Sequence, residues 1–172
     1  MISKTKKKKE NLLETIKPLL ILEGHWEGIG QGTYPTLKPF SYKEETSFEV
    51  VKGEPYIQMT QKAWILNKNS KEFIHWETGI ISAIGLNKLK FYTCHMNGRI
   101  EVLIGDYVER SKANRIEFKS ESIKNEVGLK NAIRSHRIFI FDKDLFEYRL
   151  GISTYDMQSQ KDHLKAKLTK VI

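Results

Sequence analysis

Cysteine is almost missing from this sequence: Cys94 is the only one in 172 residues. No internal disulfide can form, and one thiol cannot build a thiolate metal site or an iron–sulfur cluster. A reducing compartment suits such a chain. Long apolar runs are missing too. The longest near the start, Leu19-Leu20-Ile21-Leu22, is far short of the roughly 20 residues that a membrane-spanning helix needs. The lysines at the N-terminus have no apolar stretch behind them, so no secretory leader and no membrane partner are expected, and the cytoplasm is the expected location. No carboxylate pair or nucleophile triad stands out as a motif, which gives no sign of acid–base or covalent catalysis by side chains alone.

Positive charge is plentiful, with a formal net charge of +8 and a pI near 9.4. Five lysines in Met1–Lys9 account for all but three of those charges. A lysine run at a terminus reads as a solvated, disordered tail, here residues 1–9. The strands that follow lack the interleaved aromatic and basic residues of single-strand binders, so nucleic acid is not an expected partner.

Residues 10–172 read as one domain. Leu12, Leu13, Ile16, Leu19 and Leu20 are spaced by threes and fours, which predicts a short helix over Glu10–Leu19, ended or kinked by Pro18. Beyond Leu22 the pattern changes to about ten short segments rich in β-branched and aromatic residues, centred on Trp26, Tyr42, Gln58, Trp76, Tyr92, Val102, Ile116, Phe139, Tyr148 and Leu164. The breaks between them look like hairpin loops, among them Asn67-Lys68-Asn69-Ser70, Leu86-Asn87-Lys88, Met96-Asn97-Gly98 and Phe141-Asp142-Lys143-Asp144. Asn97-Gly98 is the strongest turn signal, because a type I′ turn needs positive φ at both central residues. An open sheet of this many strands would leave two exposed edges, and closure removes them. The expected fold is therefore all-β: a closed antiparallel barrel of about ten strands, lipocalin-like or fatty-acid-binding-like, with room for one small ligand.

Four ordered motifs narrow the reading. Gly24, Trp26, Gly28 and Gly30, followed by Tyr34-Pro35-Thr36-Leu37, form a G-x-W-x-G-x-G strand and a Y-P-T-L loop. His75-Trp76-Glu77-Thr78-Gly79 is an H-x-E-x-G strand, Asn97-Gly98-Arg99-Ile100-Glu101-Val102 a further hairpin, and His163-Leu164-Lys165-Ala166-Lys167-Leu168 an H-L-x-A-x-L segment. In this order and spacing they resemble the nitrobindin family. The resemblance implies a fatty-acid-binding-protein-like barrel that holds ferric haem b, with His163 as the axial iron ligand. It also implies isomerisation of peroxynitrite to nitrate, binding of nitric oxide, or both. The glycines read as structural, clearing one strand face for close backbone approach, and Trp26 as a large residue plugging one end of the barrel.

Other site residues follow from the same resemblance. Thr36 is implied as a haem contact, although the residue alone reads equally as a turn-capping threonine. His75 is placed in the haem pocket without being a second ligand; otherwise it is a hydrogen-bonded core histidine. Ile152 joins the haem-binding set, and His95 can edge the pocket. His25 and His136 read as surface residues and Cys94 as a small buried hydrophobe.

Strict alternation puts His163 on the face of Lys165, Lys167 and Thr169, opposite Leu164, Ala166 and Leu168. Either a bulge re-aims it or the haem sits at an open rim, and the rim is the expectation. Gly151-Ile152-Ser153 and Asp156-Met157-Gln158 stand where relatives tend to carry a methionine and a proline, with one residue extra. Haem affinity below the family's is therefore expected. The alternative class is a haem-free barrel carrying a small lipophilic ligand. The oligomeric expectation is a monomer or homodimer.

Overall fold

The computed structural model describes residues 2–34, 38–67, 70–111, 113–126, 132–155 and 162–171. An α-helix, α1 (Ile2–Ile16), leads into a 3₁₀ helix (Lys17–Leu22). Ten strands follow: β1 (Gly24–Gly32), β2 (Phe40–Val50), β3 (Tyr56–Asn67), β4 (Ser70–Gly85), β5 (Lys88–His95), β6 (Ile100–Val108), β7 (Asn114–Lys124), β8 (Ala132–Phe141), β9 (Leu145–Thr154) and β10 (Asp162–Val171). Each of the ten segment centres read from the sequence falls inside one of them. Every strand pairs antiparallel with its chain neighbours, and β1 also pairs with β10, so the meander closes into a barrel. No helix among the described residues is long and apolar enough to cross a membrane.

The helix differs from expectation at its start. It begins at Ile2, so the backbone of the lysine run continues the helix where a disordered tail was expected. Lysine is a good helix former. Lys9 Nζ also reaches Glu54 Oε1 at 2.8 Å. Pro18 sits in the first turn of the 3₁₀ helix, where its missing N–H costs nothing. This N-terminal segment buries Ile16, Leu19 and Leu22 against the barrel end, and Thr15 Oγ1 bonds to the Gly85 carbonyl at 2.9 Å.

The Asn97-Gly98 hairpin forms, though not as a type I′ turn. Only Gly98 has positive φ (79°); Gly98 N–H bonds to the His95 carbonyl and His95 N–H to the Arg99 carbonyl, both at 2.9 Å. One left-handed residue after an ordinary turn satisfies a three-residue loop.

Along several strands the inward positions change character from one end of the barrel to the other. Phe48 gives way to Thr46 and Glu44 on β2, Ile81 to Glu77 on β4, Phe91 to Thr93 and His95 on β5, and Phe139 to Arg137 and Ser135 on β8, all buried. The end covered by the N-terminal segment is thus an aromatic core. Phe146 meets Phe48 and Phe139 edge-on, with centroids 5.2 Å apart in each pair. Trp26 is fully buried there and donates its indole N–H to the Leu22 carbonyl at 2.7 Å. Above the aromatic core lies a belt of buried polar groups, and above the belt a cavity.

Candidate functional site

His163 stands at the cavity end, because Leu164 pairs with Gly32 at the far end of β1 from Trp26. The β10–β9 register shifts between Asp162 and Leu164, which leaves His163 in a bulge. The bulge, the alternative to the expected rim position, resolves the conflict with strict alternation and leaves His163 2% exposed. The Ile152 N–H donates to its Nδ1 at 3.2 Å, and its own carbonyl accepts from Thr33 N–H at 2.8 Å. Its Nε2 is buried and has no hydrogen-bond partner among the described residues. A buried, unpaired imidazole nitrogen is costly, so the site gains from any group that takes it up.

The cavity has a volume of about 470 Å³, within the range of small-molecule sites. Tyr34 and Leu164 line it beside His163, and the Tyr34 ring lies 5.0 Å from the His163 ring. Phe40, Ile65 and Ile74 make most of the remaining wall apolar, and Lys38 stands exposed at the edge. Burial pushes the Tyr34 phenol above its usual range, against the nearby charge of Arg99.

His75 belongs to the same wall. The β3–β4 register shifts between Ala63 and Trp64, which inserts Ile74 as an extra residue and turns both Ile74 and His75 toward the cavity. Ile152 is partly buried and contributes its backbone N–H. Pro35, Thr36 and Leu37 lie outside the described residues, as does residue 156–161 of the altered stretch. His25 is exposed beside Ser47, and His136 is half-buried against Glu117 at 3.0 Å. Cys94 is exposed, which corrects the expectation of a buried thiol: His95 takes the inward position on β5, so its neighbour points out.

Beneath the cavity lies the polar belt, which single-residue reading of the sequence did not reveal. Glu77 Oε1 accepts from Thr93 Oγ1 and from Arg137 Nη1, each at 2.6 Å. Glu77 Oε2 lies 3.4 Å from His75 Nε2 and 3.4 Å from His95 Nδ1. The other nitrogen of His95, Nε2, lies 3.2 Å from Glu101 Oε1. Glu101 in turn meets Arg99 Nε at 2.7 Å and is bonded by Ser135 Oγ at 2.5 Å. Arg99 Nη2 rests against the His95 ring, 3.3 Å from both nitrogens. Burial alone would raise the Glu77 carboxyl, but the charges of Arg137 and His95 hold it well below the usual carboxylate range. Burial likewise opposes ionisation of Glu101, yet Arg137 and its other partners bring it to about 2. His95 is held below its ordinary value, chiefly by burial.

A second cluster flanks the first. Tyr148 donates to Glu44 Oε2 at 2.6 Å, Tyr42 and Tyr148 share a 2.7 Å hydroxyl contact, and Thr46 donates to Glu44 Oε1 at 3.0 Å. Burial pushes the Glu44 carboxyl up to about 7, against the hydrogen bonds from Tyr148, Gln61 and Thr46. The one available signal for both clusters was a charged residue falling on the inward phase of a strand, as Glu44 and Glu77 do.

Comparison with known proteins agrees with the fold. The family model for the THAP4-like, heme-binding beta-barrel domain matches residues 15–170. Peroxynitrite isomerase 1 of Mycolicibacterium paratuberculosis is 30% identical over 156 residues, covering 91% of this chain and 92% of that protein. A peroxynitrite isomerase of Arabidopsis thaliana is 31% identical, covering 91% of this chain and 89% of its own. The crystal structure of Rv2717c from M. tuberculosis superposes with a TM-score of 0.84 at 28% identity, covering 92% of this chain and 98% of that one.

Proposed function

Since the chain belongs to the family of THAP4-like, heme-binding β-barrel domains, we propose that it binds ferric haem b through His163 and isomerises peroxynitrite to nitrate, with nitric oxide as a further ligand. One observation carries the reading: His163 Nε2 is buried with no partner among the described residues, and its ring lies 5.0 Å from that of Tyr34, which lines an apolar cavity with Lys38 at its edge. Haem needs an imidazole nitrogen, a flat apolar space and positive charge for its propionates. The residues present fit all three needs.

In this reading His163 would hold the iron through Nε2, which has no hydrogen-bond partner among the described residues. A neutral imidazole that ligates through Nε2 keeps its proton on Nδ1, so the Ile152 N–H that faces Nδ1 at 3.2 Å would have to turn aside. Tyr34, Phe40, Ile65, Ile74 and Leu164, which line the cavity, would keep water from the bound group, and Lys38 at its edge would offer a cation to a propionate. Haem, when bound, supplies a Lewis-acidic iron for O–O cleavage and recombination. The side chains then need only to orient the group and keep the site dry. His75 stands on the cavity wall with its Nε2 facing Glu77 and would neighbour a bound ligand there.

The test is a titration of the purified protein with ferric haem, followed by absorption, alongside His163→Ala. A Soret band in the wild type that collapses in the folded variant, together with faster decay of peroxynitrite and a higher nitrate yield by the loaded protein, is the expected result. Equal spectra for the two proteins would overturn the role of His163. A haem complex that leaves peroxynitrite decay unchanged would overturn the activity.

A further inference from the structure

The geometry points to a second metal site in the barrel interior: His75 Nε2, His95 Nδ1 and Glu77 Oε2 form a three-ligand seat for a divalent transition ion of the zinc and iron(II) class. The three residues come from adjacent strands. Glu77 and His95 are directly opposite each other across β4–β5, and His75 precedes Glu77 by two on the same face. Their ligand atoms all lie within 4.8 Å of one another.

The distances argue against a plain hydrogen-bonded cluster. A charge-assisted N–H···O contact to a carboxylate is about 2.7–2.9 Å long. Glu77 Oε2 instead lies 3.4 Å from both imidazole nitrogens, too long for a good bond to either. Two donors separated by roughly 3.3 Å are what a tetrahedral ion with bonds of about 2.0–2.1 Å requires. The other oxygen of the same carboxylate is occupied, with Thr93 Oγ1 and Arg137 Nη1 both at 2.6 Å. One oxygen is thus anchored and the other left facing two nitrogens.

A supporting shell is also in place. Metal-bound histidines usually donate their second ring N–H to a carboxylate, which fixes the tautomer. Glu101 Oε1 stands 3.2 Å from His95 Nε2, near enough to take that proton for ligation through Nδ1 once the guanidinium nitrogens of Arg137 and Arg99, each 3.3 Å from Nε2, give way. His75 is only half-buried and lines the cavity, so the remaining coordination positions open toward it. Three protein ligands with an open position is the pattern of a reactive centre, whereas a structural site is closed.

The charge balance sets the selectivity. Arg137 and Arg99 offset Glu77 and Glu101, each through an ion pair of 2.7 Å or less. A cation here gains little from net negative charge, so it must earn its place through bonds to imidazole. Zinc, iron(II) and cobalt(II) do this; magnesium and calcium, which favour all-oxygen sites, do not.

The site does not involve His163, so it can be measured in the haem-free full chain. Cobalt(II) is the probe, read by its visible d–d bands and by isothermal titration, with zinc as competitor. The expected result is one cobalt per chain, displaced by zinc and untouched by millimolar magnesium. His75→Ala, which removes a half-exposed ligand at little risk to the fold, weakens binding at least 100-fold. Glu101→Gln weakens it by about 10- to 100-fold, while His163→Ala leaves it unchanged. Absence of stoichiometric binding overturns the site, as does equal affinity in His75→Ala, equal competition by magnesium, or a loss in His163→Ala as large as in His75→Ala.

Discussion

Gly30 lies opposite Tyr42 across the β1–β2 pair, and a Cβ added to Gly30 would overlap the phenol ring. The missing side chain is what lets Tyr42 lie flat against β1 with its hydroxyl 2.7 Å from that of Tyr148 and one edge on the cavity. The glycine of the first motif is therefore coupled to the ligand site through one aromatic ring.

Gly30→Ala is expected to destabilise the barrel by about 1–3 kcal/mol, the usual cost of forcing a buried side chain aside. It also pushes Tyr42 toward the cavity, so ferric haem binds more weakly. Thermal unfolding and a haem titration of the same variant check both. Unchanged stability would mean the Tyr42 ring is not packed as described.

Arg137 is nearly fully buried and pairs with Glu77 at 2.6 Å and with Glu101 at 3.8 Å. Arg137→Met leaves two buried carboxylates short of a counter-charge, and the expected loss is about 3–5 kcal/mol in urea unfolding. Adding Glu77→Gln to the same protein should recover part of that loss, because the two substitutions share a partner. Strictly additive losses would show that the pair is not coupled.

The ten strands and their antiparallel order were legible because alternation and turn residues act locally, and closure follows from the cost of free edges. The position of His163 was legible only in part. Its motif drew attention to it, but a one-residue bulge between Asp162 and Leu164 decides which way it points, and a bulge leaves little trace in the alternation. The second bulge, at Ile74, hid the aim of His75 in the same manner. The polar belt was least legible, since Glu44, Glu77, Glu101 and Arg137 sit on different strands and meet only once the sheet is closed. The lysine run shows the opposite limit: composition suggested disorder, while helix propensity carries α1 back to Ile2.

Lys38 stands exposed at the cavity edge. If it pairs with a haem propionate, Lys38→Glu should lower haem affinity by up to about fivefold at low salt, since an exposed pair contributes no more than about 1 kcal/mol. The difference should shrink as salt is raised toward 1 M, where screening acts within a few ångströms. Equal affinities at low salt would place the propionates elsewhere.

Glu44 gives a pH signature that needs no haem. Its folded value is about 7, above the ordinary 4.5, chiefly because burial disfavours the charge. The folded state therefore binds more protons than the unfolded state between those values. The stabilisation is fully present below about pH 4.5 and is lost as pH rises through 7. A shift of this size corresponds to about 3 kcal/mol. Glu44→Gln keeps the shape and a partner for Tyr148 but cannot ionise. Its stability relative to wild type should therefore improve by about that amount between pH 4.5 and pH 8, read by urea unfolding at a series of pH values. A difference that stays flat across the range would mean that Glu44 is already ionised in the folded barrel, with the Tyr148, Gln61 and Thr46 hydrogen bonds outweighing the cost of burying its charge.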